Sequence, residues 1–292
     1  MLPRMSHSLL ATPAVSRLID LALEEDLGRG DCTTAALMPA PARAAAHLVA
    51  RQKLVLAGLE VADAVFQRLD PQVGIRGTAR DGDEVTAGTI VRTYSGAAAA
   101  LLSAERTALN FVQRLSGTAT LTRAFVEAAA GSRLRITDTR KTTPGFRLLE
   151  KYAVRMGGGS NHRFDLGSGV LIKDNHLVVT GSIGEAVRRA RGHVPHGLKI
   201  EVEVDTLAQL EDALAANADI VLLDNFTLAE VEKAVARVRG LTPRPLLEVS
   251  GGVTLARIPE LARVGVDLVS VGALTHSAPA ADLALDFDMN RQ

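Results

Sequence analysis

From Gly131 onward the chain settles into a rhythm that few folds can accommodate: short apolar, β-branched runs alternate with amphipathic stretches. The runs fall at Leu134–Thr137, Val170–Lys173, Leu198–Val204, Asp219–Leu223, Leu246–Val249 and Asp267–Val271. Helical patterns lie near Gly184–Arg191, Leu207–Ala216, Leu228–Val238 and Leu255–Val264. The runs are almost continuously apolar, as in strands of a parallel sheet buried on both faces. Their spacing of about 20–25 residues is that of one βα unit in a barrel or a doubly wound sheet. The polar residues separate these two. Asp138, Lys173, Glu203, Asp224, Ser250 and Gly272 each stand at or just after the end of a run. In a barrel those ends converge on one mouth, whereas a doubly wound sheet concentrates its chemistry at a single switch point. An α/β barrel is therefore expected.

The first third reads differently. Arg43–Arg51 suits a strand, Gly58–Leu69 a helix with Val61, Ala62, Val65 and Leu69 on its apolar face, and Arg80–Arg92 short hairpin strands. Ala97–Ala130 is Ala/Leu-rich and helical, with a break expected at Ser116-Gly117. That break sets the expected domains: 1–115 as an N-terminal α/β domain and 116–276 as the barrel, with 277–292 returning to the first.

Hydrophobic residues make up 47% and aromatics only 3% of the chain, so the core must be aliphatic. The 33 basic and 33 acidic residues cancel, leaving no global field for nucleic acid or a membrane surface. An anionic ligand must then be held by a local cluster. A single cysteine, Cys32, excludes an internal disulfide framework. Residues 1–14 read as a loose lead-in to a helix over Val15–Leu27, too interrupted for a secretory signal, and the expected compartment is the cytoplasm.

Four constellations carry chemistry. In Thr137–Gly145, Arg140 and Lys141 are adjacent and point to opposite sides of an extended segment, so each can meet a different anion. An exposed basic loop is the plain alternative. Gly157–Arg163 joins three glycines to His162 and Arg163, and Lys173 follows three apolar residues, where burial without a partner is costly. Taken singly, His162 or His176 is more often a packing or capping residue. Glu201 and Glu203 lie two apart on one strand, and Asp224 ends the next. Glu203 and Asp224 could hold Mg2+ beside a polyphosphate or fill the mouth with ion pairs. Ser250-Gly251-Gly252 and Val271-Gly272-Ala273 precede helical stretches after the last two strands, where barrels bind phosphate. The residues thus point to a barrel enzyme acting on a phosphate-bearing compound with Mg2+ and a small, multiply anionic molecule.

At Asp138–Thr142, Lys151–Arg163, Leu171–His176, Glu201–Asp205, Leu222–Phe226, Ser250–Gly252 and Val271–His276 the chain resembles the quinolinate phosphoribosyltransferase family. Glu25–Thr34 and Glu105–Asn110 extend the resemblance over nearly the whole length. It implies a sandwich-like N-terminal α/β domain, an open-type parallel α/β barrel of the type II phosphoribosyltransferase kind, and a homodimer or larger assembly with active sites at the subunit interface. It further implies transfer of phosphoribosyl from phosphoribosyl pyrophosphate to quinolinate with loss of CO2. Carried over residue by residue, Arg140, His162, Arg163 and Lys173 would bind quinolinate, with Arg106 supplied by the neighbouring subunit. Lys141, Glu203 and Asp224 would serve phosphoribosyl pyrophosphate and Mg2+, with Thr139 beside them and the Ser250–Gly252 and Val271–Ala273 turns on its 5-phosphate. Lys141, Lys173, Glu203 and Asp224 would be the catalytic set. One departure is Ser168, where the family often carries an acid.

Three rivals stand against this reading. One is a paralogous phosphoribosyltransferase with another acceptor, of the kind associated with molybdenum uptake. Another is a barrel aldolase or decarboxylase using Lys173 as a Schiff base, and the third is a catalytically silent binding protein. The full set of anion-binding side chains argues against the first two, and intact Glu203, Asp224 and Lys141 against the third.

Overall fold

The computed structural model describes residues 8–38 and 41–288. Tertiary contacts divide the chain into two units. One takes in the chain up to Leu121, 143–158 and the chain from Ala278; the other is Thr122–Thr142 with Gly159–Ser277. The expected barrel block of 116–276 is therefore interrupted, since 143–158 belongs to the first unit.

Residues 1–7 of the expected lead-in lie outside the described residues. Leu9–Ala11 already form a 3-10 turn with Leu9 buried. Helix α1 (Pro13–Leu27) places Val15, Ile19 and Leu23 in the core. After α2 (Cys32–Leu37), capped by Asp31, come β1 (Arg43–Ala50), β2 (Leu54–Val55) and α3 (Leu59–Leu69). The inward face of α3 adds Leu59, Ala64 and Phe66 to Val61, Ala62 and Val65. Strands β3 (Gly74–Arg76), β4 (Glu84–Val85) and β5 (Ile90–Ala97) follow, and β5 runs into α4 (Ala98–Ala128).

Helix α4 is continuous over 31 residues, which corrects the expected break at Ser116-Gly117. The two residues serve neighbours that are distant in sequence. Ser116 Oγ accepts from Ala57 N at 3.1 Å and donates to Ala57 O, and Thr120 Oγ1 accepts from Val55 N at 2.9 Å. A Cβ on Gly117 would stand 2.0 Å from the Pro279 carbonyl oxygen. Glycine is required there so that the returning chain can approach, and the helix geometry is undisturbed. Although α4 is long, among the described residues no helix is long and apolar enough to cross a membrane.

The second unit is built from β6 (Arg135–Thr137), then, after α5 (Arg147–Met156) in the first unit, β7 (Val170–Ile172), α6 (Asp174–Thr180), α7 (Ile183–His193), β8 (Ile200–Val204), α8 (Leu207–Ala215), β9 (Ile220–Asp224), α9 (Leu228–Val238), β10 (Leu246–Ser250), α10 (Ile258–Val264), β11 (Leu268–Ser270) and α11 (Ala273–His276). Its six strands form one parallel sheet in the order β6-β11-β10-β9-β8-β7. The outer edge of β6 meets Ser160 in an isolated parallel bridge, and the chain from there leads to β7, so the barrel is of the open kind. Strands β8, β9 and β10 are buried almost throughout, as the unbroken apolar runs require. The helices behind them start alike. Ser182, Thr206 and Thr227 accept from Glu185 N, Gln209 N and Glu230 N, so a Ser/Thr-x-x-Glu/Gln pattern sets each boundary.

The final strand, β12 (Leu283–Asp288), returns to the first unit and completes an antiparallel sheet in the order β12-β1-β5-β3.

Candidate active site

The C-terminal strand ends of the parallel sheet surround a cavity of about 750 Å3, within the range that takes a small-molecule ligand. Thr139, Arg140 and Lys141 come from the chain after β6, Lys173 from after β7, Glu203 from β8 and Asp224 from β9. Ser250, Gly251 and Gly252 close the end of β10, and Val271, Gly272 and Ala273 that of β11. His162 and Arg163 enter from the segment that precedes β7. Arg106 sits on α4 in the first unit, where it lines a cavity of about 330 Å3 with Glu25, Asp26 and Asn110.

One side of the mouth is cationic and incompletely paired. Arg140 Nε is buried with no hydrogen-bond partner. Arg163 Nη1 donates to the Gly169 carbonyl at 2.9 Å. Burial and the neighbouring Arg140 charge work against the Arg163 cation and lower its pKa, while Glu201 and Asp165 favour it. Two guanidiniums thus line the same cavity. Lys141 is oriented through its backbone: Thr139 Oγ1 accepts from its N–H at 3.0 Å, and Thr275 Oγ1 donates to its carbonyl at 2.7 Å. Its side chain crowds Gly272, where a Cβ would fall 3.2 Å from Lys141 Cδ and 3.1 Å from His276 Nε2.

The segment carrying His162 and Arg163 is fixed from below. Asp138, wholly buried, accepts from Asn161 Nδ2 at 2.6 Å and from His162 N at 2.9 Å. The polar residue read as a strand-end group is therefore a scaffold. The His162 ring turns into the barrel: its Nδ1 accepts from Arg163 N at 2.7 Å, and its Nε2 lies 3.1 Å from Glu201 and 3.7 Å from Glu248. Both ring nitrogens are engaged within the protein. Ser168 Oγ donates to Asp165 Oδ1 at 2.6 Å and satisfies a local turn.

The opposite side is acidic. Lys173 Nζ pairs with Glu203 Oε2. Asn225 Nδ2 donates to Asp224 Oδ2 at 2.8 Å, and its N–H donates to the Ser250 carbonyl at 3.1 Å. Asn225 holds a positive φ of 56°, and Gly251 opposite has φ of 90°. A Cβ on Gly251 would come within 2.1 Å of Asn225 Oδ1 and 2.9 Å of its backbone N. The ends of β9 and β10 are locked together, which sets where the Asp224 carboxylate points.

Sequence reasoning missed Asn225, the scaffold role of Asp138, and Glu248. The last carries a legible signal, a lone carboxylate in the apolar run Leu246–Ser250, two residues before the mouth and on the same face as Ser250.

Comparison with known proteins agrees with this geometry. A family profile described as quinolinate phosphoribosyl transferase, N-terminal domain, matches residues 31–116, and the profile for the C-terminal domain of the same enzyme matches 118–286. A nicotinate-nucleotide pyrophosphorylase [carboxylating] from Mycobacterium leprae is 46% identical over 91% of this chain and 94% of its own. A probable one from Synechocystis is 44% identical over 92% of this chain and 90% of its own. The crystal structure of NadC from Streptococcus pyogenes superposes with a TM-score of 0.91 at 41% identity, covering 97% of this chain and 99% of that one. With its parallel barrel, the residues gathered at the mouth and both domain profiles in sequence order, the chain belongs to the quinolinate phosphoribosyltransferase family.

Proposed function

We propose that the protein transfers the phosphoribosyl group of phosphoribosyl pyrophosphate to the ring nitrogen of quinolinate, releasing pyrophosphate and CO2 and leaving nicotinate mononucleotide for NAD synthesis. The observation that carries this reading is the buried, unpartnered Arg140 Nε beside Arg163, in a mouth that also holds Lys141 and Lys173. A planar ligand with two adjacent carboxylates supplies an anion for each of the two guanidiniums, and Arg gives fork geometry to each. Relatives that bear the carboxylating pyrophosphorylase name support the same activity.

The ring nitrogen attacks C1 of the ribose as the bond to pyrophosphate breaks. Glu203 and Asp224 stabilise the positive charge that develops on the sugar, and Lys141 meets the leaving group. The quaternised nitrogen then accepts the electrons of the C2–carboxylate bond, so CO2 departs and C2 takes up a proton. Positioning and electrostatics account for catalysis, with no covalent enzyme intermediate. Glu203 and Asp224 fit Mg2+: Lys173 and Asn225 occupy one oxygen of each, which leaves Glu203 Oε1 and Asp224 Oδ1 as a two-carboxylate set of the kind completed by phosphate oxygens and water. Bound there, Mg2+ supplies charge neutralisation for the pyrophosphate. The turns at Ser250–Gly252 and Val271–Ala273 receive the 5-phosphate on backbone amides. We place Arg106 in the mouth of a second copy, making the working form a homodimer in the cytoplasm.

Turnover with quinolinate, phosphoribosyl pyrophosphate and Mg2+ tests this, with nicotinate mononucleotide and CO2 followed together. Equal amounts of both from quinolinate, and little from nicotinate, are expected. Binding of phosphoribosyl pyrophosphate without either product would overturn the acceptor and favour a paralogue of the same fold.

A further inference from the structure

Below the mouth, inside the barrel, lies a second polar group. His162, Glu201 of β8 and Glu248 of β10 bring one ring nitrogen and two carboxylate oxygens within 4.8 Å of one another. Both glutamates are almost wholly buried, and the Oε1 atom of each has no hydrogen-bond partner. A cavity of about 440 Å3 reaches them, walled by Arg135, Leu246 and Leu268. Two carboxylates in such a place are costly unless they are paired or neutralised.

A metal ion is the first occupant to consider, and the histidine argues against it. Arg163 N donates to His162 Nδ1, so that nitrogen keeps its lone pair and the ring proton is assigned to Nε2. A metal on Nε2 would drive the proton to Nδ1, against the Arg163 N–H. Ligating histidines have the opposite arrangement, with the second nitrogen donating to an acceptor. What remains is one N–H within hydrogen-bond distance of Glu201 Oε2, at 3.1 Å, with Glu248 Oε1 beside it at 3.7 Å. Burial first, and then the Glu201 charge, push Glu248 up to about 7, against the opposing pull of His162, Ser270 and Arg135.

We propose that Glu201 and Glu248 are positioning residues for the acceptor: they hold the His162 ring down in the Nε2–H form and thereby fix Arg163 at the mouth. This rests on the reading of Arg163 and Arg140 as the acceptor's cations. Asp138 holds the same segment from its other side through Asn161 and the His162 N–H. The two glutamates touch no substrate.

Two measurements test the proposal. The first is the imidazole 15N NMR spectrum of the full-length enzyme, with His162 assigned by comparison with His162→Asn. An unprotonated Nδ1 and a protonated Nε2 are expected at neutral pH. The second is a kinetic split. Glu201→Leu removes the acceptor that lies 3.1 Å from Nε2 while keeping bulk, and its KM for quinolinate is expected to rise about tenfold to a hundredfold, the loss of a charge-assisted hydrogen bond, with KM for phosphoribosyl pyrophosphate within about threefold. Glu201→Gln, which keeps the polar atoms, is expected to restore the tautomer and the quinolinate KM to within about threefold of the parent. Glu201→Met serves the same comparison if the leucine variant does not fold. A protonated Nδ1 in the parent enzyme, or an unchanged quinolinate KM on loss of the carboxylate, overturns the proposal. If the parent does not turn over quinolinate at all, the functional reading fails, and the 15N spectrum still decides the clamp.

Discussion

Gly251→Ala isolates how backbone geometry controls the acidic side of the mouth. Gly251 sits at φ of 90°, where an L side chain is strained by about 1–2 kcal/mol. Its new methyl would also lie 2.1 Å from Asn225 Oδ1 and 2.9 Å from Asn225 N. The side-chain amide can swing away, but the backbone nitrogen cannot, because it is tied to the Ser250 carbonyl at 3.1 Å. Overpacking of that kind costs about 1–3 kcal/mol. If the turn holds its shape, stability falls by about 2–5 kcal/mol, or roughly 4–20 °C in Tm for a protein of this size. If the turn gives way, the strain relaxes at the expense of the Asn225–Asp224 hydrogen bond, worth about 1.5–3 kcal/mol because one partner is charged. The second outcome appears as a drop of about tenfold to a hundredfold in kcat/KM for phosphoribosyl pyrophosphate. Thermal melting and initial rates with each substrate varied in turn separate the two outcomes. A variant with parental Tm and parental kcat/KM for both substrates would refute the reasoning, since the methyl must displace something.

Three further predictions follow from other parts of the structure. Gly117→Ala would stabilise an ordinary helix interior by about 1 kcal/mol; here the contact with Pro279 reverses the sign, and a net loss of about 1–2 kcal/mol is expected, read as a fall of a few degrees in Tm. Arg140→Ala removes the unpartnered guanidinium and should raise KM for quinolinate about tenfold to a hundredfold, with phosphoribosyl pyrophosphate binding by calorimetry unchanged. The third concerns pH. The Glu248 carboxyl is raised from its ordinary 4.5 to about 7 in the folded state, so between those values the unfolded chain loses a proton that the folded one keeps. Stability should therefore fall as pH rises through that window, by up to about 3 kcal/mol, and the contribution should level off above it. Melting curves of the parent that run parallel to those of Glu248→Gln from pH 4.5 to 8 would contradict this.

Much of the site was legible because it depends on local rules. A parallel barrel strand must be apolar along its length and must deliver its last residue to one rim. Lys173, Glu203, Asp224 and Ser250 could therefore be placed at the mouth from their position after an apolar run. The helix starts behind them carry a similarly local signature at Ser182, Thr206 and Thr227. The break expected at Ser116-Gly117 went wrong for the opposite reason. Serine and glycine in mid-helix suggest an end when only neighbours within a few residues are considered. Their partners, Ala57 and Pro279, lie far away along the chain. His162 shows the same limit: its residue type suggests a ligand-binding ring, while its direction is set by Asp138, Glu201 and Glu248.

By itself the sequence determined the parallel βα architecture and the order of the strands' chemical ends, because periodicity and strand-end position act over a few residues. Only the tertiary structure decided that α4 runs unbroken, that 143–158 groups with the first unit, that Arg106 lines a cavity of the first unit, and that Glu201 and Glu248 gather at the His162 ring. Each of these depends on which distant segments come within a few ångströms of one another, and such contacts are made by packing.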